Sequence, residues 1–351
     1  MPSDTTEITD DKLRKILDEI PLFHKMDNFV LAVFSKTDVL ASSFRLTNFK
    51  DVSSSQNVFQ MVFDVGELTK VFSTVLLLKL CEEKKIPLEC LIGEYINFFS
   101  SRDKENLRIL DLLRGEKLFA KFTPHLYLES LNLDLRPGLY GSRYAKKTVF
   151  FELCRLPLEV EKHGDDNLNF LVVEELIELL SSSGLESVMN KFLLELVGIN
   201  DIGFVNLQRV SRSHRSLLDM SFVDQTLLRK HSNSAKDCVS MGGICGYYGI
   251  LGRLSSILKF FRIFLSNLDN PGPLIHVPLL SLSRYIDSEK KFFFFECVED
   301  LNYTIDLSGA CFGFNQKNGL GLLLLVNSDK PFTRDEARVC KNFLASLLNL
   351  F

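Results

Sequence analysis

The chain has 351 residues, 46% hydrophobic and 25% charged, which is enough apolar mass for one large core or two smaller ones. Its net charge of −4, with Lys and Arg dispersed, leaves no electrostatic footprint for nucleic acid. The 8 cysteines show no CxxC or Cys/His spacing, so they read as reduced core thiols, and no metal or other cofactor is expected.

The amino terminus is polar and acidic, with no basic region followed by an apolar run. The expectation is a cytoplasmic protein without a secretory leader. No apolar run approaches the ~18 residues of a spanning helix, and 322–326 is too short.

A helix is predicted over 9–20. Thr9 can cap it, Asp10 and Asp11 sit in its first turn, and Leu13, Ile16, Leu17 and Ile20 form one stripe before Pro21. Residues 28–35, 39–46 and 57–63 read as three strands, with a Ser53-Ser54-Ser55 loop before the third. The stretch Phe63-Asp64-Val65-Gly66-Glu67-Leu68-Thr69-Lys70 follows, as a strand end, a turn at Gly66 and a helix starting near Glu67. Leu68, Val71, Phe72, Val75, Leu76 and Leu78 recur at helical spacing, and 75–78 is apolar all round, the pattern of a helix buried mid-domain. Glu67 lies where the helix dipole favours a carboxylate, and Lys70 lies three residues on, on the same face. The plain reading of the two is an ion pair at a helix start.

From 67 to about 267 the pattern is mainly helical. Residues 168–182 and 185–197 form two strong helices separated by Gly184. The stretch 208–240 is polar, with Arg209, Ser211, Arg212, Ser213, His214 and Arg215, and reads as a surface excursion. Gly242, Gly243, Gly246, Gly249 and Gly252 then precede another helix. They do not form a phosphate loop, since no strand precedes them and no Gly-Lys-Ser/Thr follows. After Pro271 and Pro273, residues 276–280, 292–298, 303–314 and 320–327 read as strands, with a turn from Asn315 to Gly319. Thr333 and Glu336 form a capping box that opens a closing helix. Four consecutive Phe over 292–295 require burial or a partner.

Phe63, Asp64, Leu68, Thr69 and Lys70 match the segment Phe-Asp-Leu-Ala-Ser-Leu-Thr-Lys, so the chain resembles the serine β-lactamases, penicillin-binding proteins and related esterases. Further blocks in the same order extend the resemblance over roughly 28–351. They include 86–99, Leu107 to Gly115, the run Gly198-Ile199-Asn200-Asp201-Ile202-Gly203-Phe204, and Gly319-Leu320-Gly321 before the last strand. The resemblance implies an α/β (α+β) fold: an antiparallel sheet built from both chain ends, flanked by terminal helices, plus a helical lobe from the middle. As one domain over 1–351, the sheet lobe would take about 1–66 and 272–351, and the helical lobe about 67–271.

In that family the Ser of Ser-x-x-Lys is the acylated nucleophile and the Lys its base or proton shuttle. Here Glu67 stands at the nucleophile position, and an acylated carboxylate would be an anhydride with no sensible route to ester or amide hydrolysis. The family's Tyr-x-Asn falls on Asp165-Asp166-Asn167, which keeps Asn167 and replaces the Tyr by Asp165; Tyr140-Gly141-Ser142 is a second placement. The Lys-Thr-Gly motif falls on Leu307-Ser308-Gly309 or on Thr304-Ile305-Asp306, and neither supplies the Lys. The expectation is a fold released from hydrolysis, with a protein partner or small ligand in the former cleft. Two rivals stand beside it. One is an active hydrolase with a displaced nucleophile, Ser73 or Ser308, still using Lys70. The other is a structural or regulatory subunit that makes contact through Arg209 to Arg215 or through the Phe strand. Ser73 itself reads as a buried hydroxyl bonded one turn back.

Overall fold

The computed structural model describes residues 9–26, 28–45, 58–100, 102–136, 138–161, 166–207, 232–283, 293–298, 301–305, 309–327 and 332–349. The strands, in chain order, are β1 (Phe29–Phe34), β2 (Val39–Arg45), β3 (Val62–Asp64), β4 (Lys117–Phe119), β5 (Leu158–Glu161), β6 (Ile202–Phe204), β7 (Ile250–Arg253), β8 (Glu296–Val298), β9 (Leu301–Ile305), β10 (Cys311–Asn315) and β11 (Leu320–Val326). The longer helices are α1 (Asp10–Asp18), α2 (Thr69–Lys84), α3 (Arg143–Arg155), α4 (Asn167–Ser181), α5 (Leu185–Phe192), α6 (Asn233–Ser240), α7 (Leu254–Asp269) and α8 (Arg334–Asn349).

Both chain ends build one antiparallel sheet, in the order β2-β1-β11-β10-β9-β8. Its central strands read as unbroken apolar runs because both faces are covered. Along β1, Val30, Ala32 and Phe34 face the larger core with the helices of the middle, whereas Phe29, Leu31 and Val33 face α1 and α8. β11 divides the same way, with Leu323 and Leu325 on one side and Leu322, Leu324 and Val326 on the other. Thr9 caps α1 by accepting the Lys12 N–H, and Thr333 and Glu336 exchange side-chain and backbone bonds at the start of α8.

α2 is buried from Thr69 through Cys81. Phe72 stacks on Phe260 of α7 with ring centroids 3.9 Å apart, and Phe261 of α7 meets Phe312 of β10 at 4.3 Å. α7 therefore joins the central helix to the sheet. The Phe run is buried: Phe293 and Phe295 pack into this cluster, while 292 lies outside the described residues.

Several expected elements differ. Of 57–63 only Val62–Asp64 is a strand, and it pairs with β7 in a separate three-stranded sheet, β3-β7-β6. Val58 instead begins a helical turn. Residues 276–280 form no strand. The Asn267 amide accepts the Ile275 N–H and donates to the Ile275 carbonyl, which consumes the ladder groups just ahead of this segment, and the short helix Leu279–Ser283 follows Pro278. The expected strand over 303–314 is the hairpin β9–β10, with Ile305 opposite Cys311. α4 is closed by Ser182 in the left-handed region at φ 54°, and Gly184 caps α5 instead of breaking α4. The helical middle also holds two short pieces of sheet, β4–β5 and the β6–β7 pair.

Candidate functional site

β3 ends at Asp64 and delivers the chain into a tight turn. Gly66 takes a positive φ of 56°, its N–H donates to Asp64 Oδ1 at 2.7 Å, and Tyr248 donates its hydroxyl to Asp64 Oδ2 at 3.0 Å. Thr69 donates to the Gly66 carbonyl at 2.8 Å and accepts the Ile250 N–H at 3.4 Å. Asp64, Gly66 and Thr69 thus set the turn and fasten it to β7. One 3-10 turn over Gly66–Leu68 separates this anchor from α2, so Glu67 lies just before the α-helix.

The carboxylate of Glu67 sits in a network of five side chains. Its Oε1 accepts from Ser234 Oγ at 2.5 Å and from Asn167 Nδ2 at 3.1 Å, and its Oε2 lies 3.2 Å from Lys70 Nζ. Lys70 donates to Asp166 Oδ1 at 2.5 Å and lies 5.7 Å from the Phe170 ring centroid. Asn167 also reaches Ser234 Oγ at 3.2 Å. Lys70 keeps 7% of its side-chain surface, Asp166 10% and Glu67 22%, so the cluster opens to solvent mainly through Glu67.

Burial alone would raise the Glu67 pKa, but Lys70, Ser234 and Asn167 together outweigh it and hold the carboxyl below its ordinary value. The Glu67 carboxylate is thus the shared acceptor of Lys70, Ser234 and Asn167. Lys70 serves as the cation between two carboxylates. The arrangement holds the Lys70 ammonium between the Glu67 and Asp166 carboxylates at the turn before α2.

α6 carries Ser234 to this cluster and is anchored by a second buried network. Asp237 accepts from His125 Nδ1 at 2.6 Å, from the His125 N–H at 2.8 Å and from Tyr247 OH at 3.2 Å. Sequence reasoning did not single out Ser234 or His125. Ser234 lay in the stretch read as a surface excursion, and the one available signal was Ser232, which caps α6 through the Ala235 N–H ahead of buried Ala235 and Cys238. Asp166, which pairs with Lys70 at 2.5 Å, entered the sequence reading only as the middle residue of Asp165-Asp166-Asn167.

The structure thus brings Glu67, Lys70 and Asn167 together as an ion-paired network. Asp165 and Ser308 lie outside the described residues, as do Arg209 to Arg215. Gly309 lies just ahead of β10, at φ 96°, where a Cβ would meet Val326 Cβ at 2.8 Å. The second placement of the Tyr motif is a helix cap, since Ser142 accepts the Tyr144 and Ala145 N–H groups at the start of α3. Ser73 is buried as expected, but its hydroxyl donates at 2.6 Å to the Gly246 carbonyl of another segment, not to its own helix.

All eight cysteines are free thiols, and burial, aided by Cys90, pushes Cys81 up to about 12. Among the described residues, no group of His, Cys, Asp and Glu is placed to hold a metal, and no helix is long and apolar enough to cross a membrane.

No protein-family model matches the chain, and no curated protein sequence does. Solved structures do. EstCE1, a hydrolase with promiscuous acyltransferase activity, aligns at a TM-score of 0.65 with 13% identity, over 97% of this chain and 99% of its own. A penicillin binding protein from Bacillus halodurans gives 0.62 with 11% identity, over 97% and 100% of the two chains. FmtA from Staphylococcus aureus gives 0.59 with 17% identity, over 99% and 90%. The fold is that of the serine β-lactamases and penicillin-binding proteins. Within this β-lactamase fold, the turn before the central helix carries Glu67, held by Lys70, Asn167 and Ser234.

Proposed function

We propose that this is a β-lactamase-fold protein without serine hydrolase activity, acting in the cytoplasm through binding or assembly. The observation that carries the reading is the state of Glu67 and Lys70. Serine-hydrolase chemistry needs a hydroxyl with a base in reach, and the base must be able to take its proton. The residue at the turn is instead a carboxylate engaged by three donors, and the lysine behind it is bound by two carboxylates. Ser73, the nearest candidate for a displaced nucleophile on α2, spends its proton on the Gly246 carbonyl.

A second reading rests on one distance, the 2.5 Å between Ser234 Oγ and Glu67 Oε1. It would make Ser234 the displaced nucleophile and Glu67 its base. The lowered pKa of Glu67 disfavours it, because a weaker base takes a hydroxyl proton less readily.

Hydrolysis of a short-chain nitrophenyl ester by the wild type, Glu67→Ser, Glu67→Gln and Lys70→Ala separates the two. The expected outcome is no turnover in the wild type and a measurable gain in Glu67→Ser. Wild-type turnover that Glu67→Gln abolishes would establish the second reading instead.

A further inference from the structure

A cleft of about 340 Å³ lies between α3, α4 and the start of α5, lined by none of the Glu67 network. We infer that Lys146, in the wall of this cleft, is a nucleophilic amine that forms an imine with a small, uncharged, apolar aldehyde. The inference goes beyond the proposed function and shares no residue with the Glu67 network.

α3 brings Lys146 and Lys147 to the cleft, and α4 brings Glu174, Glu175 and Glu178. Lys146 is ion-paired with Glu174, and its Nζ donates to the Ile244 carbonyl at 3.1 Å. Glu174 is itself fixed, because its Oε2 accepts the Gly246 N–H at 3.0 Å. An ammonium has three N–H groups. Two of them serve these contacts, and among the described residues Lys146 makes no further hydrogen bond. The nitrogen is therefore held by two fixed partners and keeps one position for a ligand.

Burial draws the Lys146 pKa below its ordinary value and Lys147 adds to the effect, against the pull of Glu178. The buried ammonium thus gives up its proton more readily than an exposed lysine does, and Glu174 stands beside it to take that proton.

Charge decides which reaction fits. Acylation or carbamylation would remove the positive charge of Lys146 and strand the Glu174 carboxylate, which keeps 3% of its side-chain surface. An imine keeps that charge. The Nζ lone pair forms an N–C bond to the carbonyl carbon and the carbonyl oxygen leaves as water, so an ammonium and an aldehyde give a protonated imine and water. The product is a cation at the same nitrogen, still facing Glu174 and Glu178. Phe150, Leu171, Met241 and Ile244 line the cleft for the apolar part of the aldehyde. An aldehyde that carries a carboxylate would face Glu174, Glu175, Glu178 and Glu186 instead. The volume stands at the small end of ligand pockets, which limits the aldehyde to a single ring or a short branched chain.

The test is reductive trapping on the full chain. Benzaldehyde is added with sodium cyanoborohydride, which delivers hydride to the iminium carbon and fixes the bond as a secondary amine. Intact-mass spectrometry and peptide mapping read the result. One adduct per chain is expected, on Lys146, ahead of Lys147 in the same cleft and of Lys191, whose side chain is 70% exposed. Glyoxylate should show no such preference. Lys146→Arg keeps the cation and removes the nucleophile, so the folded variant should lose the leading adduct. The wild-type map decides the matter even where that variant misfolds. Labelling that follows exposure, with Lys191 leading and Lys146 unmodified, overturns the inference. So does equal labelling of folded Lys146→Arg, or an equal preference of glyoxylate for Lys146. Ester hydrolysis is a separate readout, so either proposal can fail alone.

Discussion

Glu67 and Lys70 are close enough in sequence that their pairing was legible from spacing alone, and the structure places them 3.2 Å apart. What spacing could not show is how the pair is completed. Asp166 and Ser234 arrive from segments 96 and 167 residues away along the chain, where nothing local marks them as partners. The completed network has a consequence in pH. The Glu67 carboxyl is held below its ordinary value despite burial, so its contribution is fully present above the unfolded pKa of about 4.3 and is lost as pH falls through the lower folded value. Glu67→Gln should therefore lower stability by about 1–3 kcal/mol at pH 7 and flatten the acid limb of the stability profile. Urea unfolding from pH 7 downward checks this; parallel acid limbs in the two proteins would contradict it. Asn302 behaves in the opposite sense. Its amide is fully buried in β9 with neither end hydrogen-bonded, so Asn302→Leu should raise Tm. Differential scanning calorimetry reads the shift, and a fall in Tm would show that the amide is satisfied in solution.

At the scale of elements, helices were read better than strands. The stripes of α1, α2 and α4 repeat over several turns, and such a signal survives small errors of register. The strands misread at 57–63 and 276–280 are short, and their fate was decided by distant groups: β7 in one case, the Asn267 amide in the other. The Gly-rich stretch after 241 was read as a prelude to a helix, but it also works as a clamp. The Gly246 carbonyl accepts from Ser73 of α2, its N–H donates to Glu174 of α4, and a Cβ there would lie 2.1 Å from the Phe170 carbonyl oxygen. Gly246→Ala must push α4 away from this loop. It should cost about 3 kcal/mol or more, seen as a lower urea midpoint, whereas a cost near zero would mean that the loop yields freely.

Across the whole molecule, the order of the sequence blocks carried the fold. The resemblance carried by those blocks implied one sheet built from both chain ends, and the sheet order β2-β1-β11-β10-β9-β8 realises it. The many Phe side chains supply the joint between sheet and helices. Phe312 lies within 6.4 Å, centroid to centroid, of Phe34, Phe261, Phe264, Phe295 and Phe314. Phe312→Ala should cost about 3–5 kcal/mol, measured by chemical unfolding, and a cost below about 1 kcal/mol would show that the cluster collapses around the gap. Above these details stands the claim that a hydrolase fold here carries no acyl-enzyme chemistry. The most direct test is intact-mass spectrometry of the wild-type chain after incubation with a fluorophosphonate and with a β-lactam, alongside Lys70→Ala. The account predicts an unchanged mass in every sample. A stoichiometric adduct on the wild type that maps to one serine, Ser234 foremost, and is lost in Lys70→Ala would contradict it.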